Sequence, residues 1–500
     1  MHSAGAMARR ISILWLLLMV TAAASVQASD DPPPEPSLLA RALESKSLFD
    51  QQPVDPHAAK RACPGCPPRS VGRALFQETI VNVFYGAANL IRGQVTARVT
   101  PKTWWENMEQ GWVWDLDDFV VNQIGHPYQG NNYYNSGRAN GLNFYESSAI
   151  AAFGSATWEY YGETNKPSLN DFINTTLGGI AFGETLHRAA WLIRDTGISG
   201  RGRTMREIGA LVLDPVTGYN RFRTGDAKRI VEKPADMVPS ALSGFGSAGV
   251  LWRGTEHDPF EAAGQAFAEV DLLYGDAQHG RSRTPYDAFG MSLRFGGGGP
   301  LSEARLVGRL IGQPMRNPHF QFSVLQAYDF QNNDAYSFGA QSFTGSLGYT
   351  EALGSRVDLW VVGSGGLTVL GAIDSLPLGV DEKPVDEVEG SGGQGVSEGP
   401  RFYDYGPGSN YSARASLSFD KRPFAIFFYE GRQIFSLDGV RANHFLQHAR
   451  LDLQWTLHRQ LGIGTTAEYF SRHTYYQDEA KTEKQFRFPQ FRAYLTWAIS

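Results

Sequence analysis

His448-Ala449-Arg450-Leu451-Asp452-Leu453-Gln454-Trp455-Thr456-Leu457 alternates without a break. In an extended chain Ala449, Leu451, Leu453, Trp455 and Leu457 share an apolar face, and His448, Arg450, Asp452, Gln454 and Thr456 a polar one. The pattern recurs. Tyr411, Ala413, Ala415, Leu417 and Phe419 oppose Ser412, Arg414, Ser416 and Ser418; Ala304, Leu306, Gly308 and Leu310 oppose Glu303, Arg305 and Arg309. Phe491, Ala493, Leu495, Trp497 and Ile499 oppose Arg492, Tyr494 and Thr496 near the end of the chain. Between Leu242 and Ser500 the spacing gives about twelve strands, with turns of Gly, Pro, Asp and Asn and one longer polar loop near Asp374 to Pro400.

The fold expected is therefore mainly β: an antiparallel transmembrane β-barrel of about twelve strands, with an N-terminal α-helical segment plugging or capping it. A soluble sandwich would alternate too, but its apolar face would be the interior. Strand length, interfacial Trp and Tyr and an export leader favour the barrel. An even number of strands closes it with both ends periplasmic. The last strand is of the aromatic, amphipathic kind that outer-membrane assembly machinery recognises, although the chain ends on Ser500.

The leader is legible at the other end. Arg9 and Arg10 precede an apolar run from Ile11 to Val20, and Val26-Gln27-Ala28 offers small residues for signal peptidase. Residues 1–28 read as a cleaved signal peptide, 29–70 as a Pro-rich linker, 71–241 as a helical segment and 242–500 as the barrel. No later stretch offers about 18 consecutive apolar residues, so a membrane would be crossed by strands. With 55 Gly, 12% aromatic residues and a mean hydropathy of -0.30, the composition suits a turn-rich β protein with a polar interior. A net charge of -6 argues against nucleic acid, leaving outer-membrane lipid as the expected partner. Cys63 and Cys66, in Cys-Pro-Gly-Cys, read as a local disulfide in an oxidising compartment. A redox pair would need a strand before it and a helix after it, and zinc would need two more ligands. No metal or cofactor is expected.

In the helical segment, Ser168 can cap a helix that Asp171 answers three residues on and that runs towards Asp195. Gly179 and Gly183 clear one face of it, and Glu146 to Ala156 is similarly small-sided, so the two read as a tightly packed pair. Neither is apolar enough to face lipid. Asn122-Gln123-Ile124-Gly125-His126-Pro127-Tyr128-Gln129-Gly130, Arg138-Ala139-Asn140-Gly141, Trp158-Glu159-Tyr160, Pro167-Ser168-Leu169-Asn170-Asp171 and Gly178-Gly179 to Gly183-Glu184 follow in order, with a weaker continuation to Arg221. The stretch resembles an uncharacterised family of exported bacterial proteins, a domain of unknown function found in predicted outer-membrane proteins. The resemblance implies an envelope location and a helical element coupled to a barrel, and no activity.

His126, Arg138, Glu159, Glu163, Asp171 and Glu184 are ionisable groups set among aromatic and small residues, where burial would shift their pKa values. One reading makes His126 and a carboxylate among Glu159, Asp171 and Glu184 an acid/base pair, activating water or a hydroxyl such as Ser147 or Ser155. That would be an envelope enzyme acting on a lipid or peptidoglycan-like substrate, although G-x-S-x-G and H-E-x-x-H are both missing. The plainer reading has Glu159 or Asp171 pair with an inward arginine among Arg305, Arg309, Arg414, Arg450 and Arg492, and has His448 as a paired interior residue. The protein is then a non-enzymatic barrel with a structural, envelope-maintenance or solute-passage role.

Overall fold

The computed structural model describes residues 65–254, 264–333, 337–374, 403–420, 422–458, 460–477 and 484–498. The expected signal peptide, most of the Pro-rich linker and Cys63 lie outside the described residues. Cys66 is disulfide-bonded.

Twelve strands close into one antiparallel barrel. They are β1 (Leu242–Arg253), β2 (Gln265–Tyr274), β3 (Phe289–Gly296), β4 (Glu303–Pro314), β5 (Phe320–Asn332) and β6 (Ser337–Ala352). The remainder are β7 (Val357–Asp374), β8 (Tyr403–Phe419), β9 (Arg422–Phe435), β10 (Ala442–His458), β11 (Leu461–Tyr476) and β12 (Lys484–Ala498). Each strand pairs with its sequence neighbours, and β1 closes on β12 with Phe245 opposite Ala498 and Arg253 opposite Gln490. The start of β1 and the end of β12 thus share one rim, where the tight turn 353–356 also lies.

The strand faces are fixed by pairs that only the lumen can bring together. Arg305 of β4 meets Glu430 of β9 at 3.1 Å, Arg432 of β9 meets Asp329 of β5 at 2.8 Å, and Arg294 of β3 meets Glu468 of β11 at 3.5 Å. In none of these three pairs are the two strands neighbours. Phe338, Ile373, Ile434, Leu446 and Phe470, from five strands, form an apolar layer in the same interior. By alternation the flanking residues point outward, as the sequence pattern requires. Leu451, Trp455 and Leu457 on β10, Tyr411 and Phe419 on β8, and Leu495 and Trp497 on β12 are exposed there.

The helical segment runs through α1 (Val71–Ile91), α2 (Pro101–Gln110), α3 (His126–Arg138), α4 (Phe144–Tyr161), α5 (Leu169–Ile173), α6 (Gly179–Ile193), α7 (Arg201–Leu213) and α8 (Pro215–Thr224). Wider π turns at Val121–Gly125 and Asn174–Gly178 lead into α3 and α6. Ser168 caps α5 as its position suggests, accepting from the Asp171 amide at 3.4 Å. The glycines do allow close packing, but α3 lies between the two segments expected to pair. A Cβ on Gly183 of α6 would sit 2.5 Å from Tyr134, and one on Gly154 of α4 would sit 2.6 Å from Tyr133. Gly130 and Gly179 let the α3 and α6 backbones touch.

The helices neither plug the lumen nor pair with its arginines. They lie along the outside of the wall. Asp329 points inward, so its neighbours Tyr328 and Phe330 point out, and these pack on Phe182 at 4.8 Å and Phe119 at 5.7 Å between ring centroids. Ala304 and Leu306 flank inward Arg305 and pack against Ala181. Tyr405, opposite outward Ala372, stacks on Trp114 at 5.5 Å. The inward arginines are engaged within the barrel. Arg305 binds Asp329 and Glu430, Arg309 binds Asp287, Arg450 binds Asp452 and Glu269, Arg492 binds Glu269 and Glu468, and Arg414 lies over Trp360. A buried charge stays where its partner is, and these partners already fill the interior.

A leucine at Gly130 would put its Cβ alone 1.8 Å from the Thr175 carbonyl oxygen. Gly130→Leu should therefore loosen the helical segment by about 3 kcal/mol or more, seen as trypsin cleavage within residues 111–224 while the barrel keeps its heat-modifiable migration.

Candidate functional site

The six ionisable residues singled out in the sequence fall into two groups at opposite ends of α3. At the first, the π turn at Val121–Gly125 turns Asn122 and Gln123 towards the outer wall, and His126 follows. A π turn adds a residue to the helical circuit and is often retained where side chains need a particular aim. Asn122 donates to Asp115 at 2.8 Å and to the Tyr403 hydroxyl at 2.7 Å, and that hydroxyl donates to the Asp117 carbonyl at 2.6 Å. Asn170 donates to Asp115 at 3.0 Å, to Asp171 at 2.9 Å and to the Tyr405 hydroxyl at 3.3 Å. Gln123 also donates to Tyr405, while its carbonyl accepts from Tyr328.

His126 Nε2 stands 3.5 Å from Asp171 and its Nδ1 is 3.1 Å from Thr175 Oγ1, in the second π turn. Burial pushes His126 down, towards the neutral ring. Burial, reinforced by nearby Asp115, pushes Asp171 well above the usual carboxylate range. Burial thus favours the uncharged form of both partners, and the two meet as a closely packed pair inside the protein. Both side chains are nearly closed to solvent, at 8% and 6% exposure. Glu159, pushed up by burial and by Glu163, accepts from the Ser168 amide at 2.7 Å, and Glu163 accepts from Trp158 at 2.8 Å. Ser147 packs against Gly137, and Ser155 donates to the Phe172 carbonyl at 3.4 Å. This cluster ties loop, helices and wall together.

The second group is an anchor. Glu184 binds Arg138 at 3.0 Å, Arg188 at 2.8 Å and the Tyr134 hydroxyl at 2.7 Å. Burial alone would raise Glu184, but the two guanidiniums outweigh it and hold the carboxyl at about 2. Arg188 reaches on to the Thr284 hydroxyl and the Pro285 carbonyl in the β2–β3 turn and lies over the Tyr274 ring. One arginine therefore joins α6 to the barrel.

Several partners were not singled out from sequence. Asn122, Asn170, Tyr403 and Tyr405 do not ionise near neutral pH, so a search for perturbed titratable groups passes over them. Arg188 was findable, four residues after Glu184 on one helix face. Glu207, shared by Arg203 at 2.9 Å and Arg221 at 2.7 Å, and the His187–Asp214 pair at 2.7 Å form a further buried network.

One measurement checks the second assignment. Glu184→Ala strands two buried guanidiniums and should destabilise the helical segment by about 3–5 kcal/mol, read as an earlier denaturant midpoint for its proteolytic release.

Residues 111–216 match the model of a family described as Domain of unknown function (DUF3943). No curated protein matches the sequence. Among solved structures the chain is similar to the NanC porin, at 7% identity over 51% of this chain and 99% of that one, with a TM-score of 0.27. It is also similar to the outer-membrane channel DcaP of Acinetobacter baumannii, at 10% identity, 52% and 96% coverage and a TM-score of 0.21. A third is the toluene transporter TodX of Pseudomonas putida, at 8% identity, 53% and 90% coverage and a TM-score of 0.20. The barrel assignment rests on the strand pairing itself, and the match that falls on the two π turns and the wall contacts is the domain of unknown function at residues 111–216.

Proposed function

We propose that this protein is an outer-membrane barrel with a closed lumen, exported by a cleaved signal peptide, inserted by the assembly machinery and serving a structural role in the envelope. One observation carries the reading: side chains from opposite walls bridge the lumen. Arg305 to Glu430, Arg294 to Glu468, Arg432 to Asp329 and Arg450 to Glu269 each join strands that are not neighbours. Phe338, Glu430, Arg432, Leu446 and His448 crowd the lumen around one small void of about 10 Å³. An open porin keeps an aqueous channel, whereas small barrels can fill their interior with side chains. The exposed apolar face of β8, β10 and β12 supplies the lipid contact. The enzyme reading gains nothing from His126 and Asp171, which stand 3.5 Å apart and are nearly closed to solvent.

Purified protein in a planar bilayer should be silent, and Arg305→Ser with Glu430→Ser, which removes one bridge, should bring on brief openings. Steady conductance by the unaltered chain would overturn the closed lumen. The chain should fractionate with the outer membrane and migrate faster on gels before heating; recovery from the soluble periplasm would overturn the membrane reading.

A further inference from the structure

Helix α1 is amphipathic in the opposite sense to a helix of a water-soluble domain. Its Gln77, Glu78, Asn82 and Tyr85 side chains point into the protein. Glu78 is 0% exposed and bonds Asn82, Asn82 accepts from Tyr133, Gln77 bonds Asn140 and Asn220, and Tyr85 accepts from Asn132. Leu75 and Val81 pack inward, but most of its large apolar side chains point away: Phe76 is 69% exposed, Val83 63%, Phe84 70% and Ile91 87%, with Ile80 also exposed. Between Arg73 and Arg92 the one charged residue is the buried Glu78. In water this arrangement discards the hydrophobic contribution of a whole helix face. In lipid it is the favourable one, because polar groups must find partners inside the protein.

The position of the helices points the same way. On β5 the outward face passes from exposed Phe322 to covered Gln326, Tyr328 and Phe330 within a few residues. On β8 it passes from exposed Tyr411 to covered Tyr405 and Tyr403, and on β6 from exposed Leu347 to covered Gln341. On β3 and β4, Phe289, Met291, Leu293, Ala304, Leu306 and Leu310 are all packed against the helices or their partners. The apolar belt of a barrel must run round its whole perimeter. Where the helices cover the strands, the surface that meets the bilayer belongs to the helices.

We infer that α1 is part of the lipid-facing perimeter, with the acyl chains of the surrounding bilayer lying on Phe76, Ile80, Val83, Phe84 and Ile91. The inference rests on the membrane reading above and extends it to a segment outside the barrel. No helix among the described residues is long and apolar enough to cross a membrane by itself. At 21 residues, or about 31 Å, α1 needs no such independence, since its polar face is held by α3 and α4.

The test uses the full chain in phosphatidylcholine vesicles, its native cysteines left oxidised. A nitroxide is attached to Val83→Cys or, separately, Phe84→Cys, and its collision rates with oxygen and with a water-soluble nickel chelate are compared. Leu451→Cys marks the barrel belt and Arg229→Cys, 61% exposed, marks water. The oxygen-to-nickel ratio at both α1 positions should match Leu451 and exceed Arg229 several-fold. A ratio like that of Arg229, with Leu451 still in lipid, would overturn the inference alone. Low access to both reagents would also overturn it, since a second copy of the chain would then cover α1. Water access at Leu451 would overturn the membrane reading with it.

Discussion

Glu269 and Glu468 are shared by the same three arginines. Arg294, Arg450 and Arg492 lie within 2.6 to 3.4 Å of Glu269 and 2.6 to 3.8 Å of Glu468. The five residues come from β2, β3, β10, β11 and β12, so the web crosses the seam where the first and last strands close. Desolvating so many charges is costly, and only mutual pairing at close range offsets it. Once they are paired, this part of the interior is occupied by the barrel's own side chains. The placement of the remaining chain follows from that. It can pack only against the outward face, where β3 and β4 present Leu293, Ala304 and Leu306.

This relation explains which sequence readings held. Strand number and inward and outward faces were legible because a period of two, repeated over about twelve segments, can be satisfied by few folds. Arg450 and Leu451 took the faces their alternation assigns. The location of the helices was not legible, because Ala304, Leu306 and Leu310 read identically whether a lipid tail or Ala181 covers them. Burial distinguishes the two cases, and burial is a property of the neighbour.

The site divides in the same way. His126 and Asp171 do meet, and Arg138 meets Glu184, so ionisable residues set among aromatics were informative. Their chemistry was not, because it depends on what closes over them. Asp115 beside Asp171 and the tyrosines of β8 come from segments far apart in sequence. The amides Asn122 and Asn170, which connect these groups, form the core of the cluster although neither carries a charge.

The covered part of the wall differs in kind from the bare part. Gln326 of β5 spends its amide on the Leu177 carbonyl, the Tyr328 hydroxyl reaches the Gln123 carbonyl, and Tyr403 and Tyr405 take bonds from Asn122 and Asn170. All four strand residues point away from the lumen. Stripped of the helices they would present amide and hydroxyl groups to hydrocarbon, at several kcal/mol each. The strands alone are therefore an unfinished cylinder, and the outer wall is completed by the helical segment.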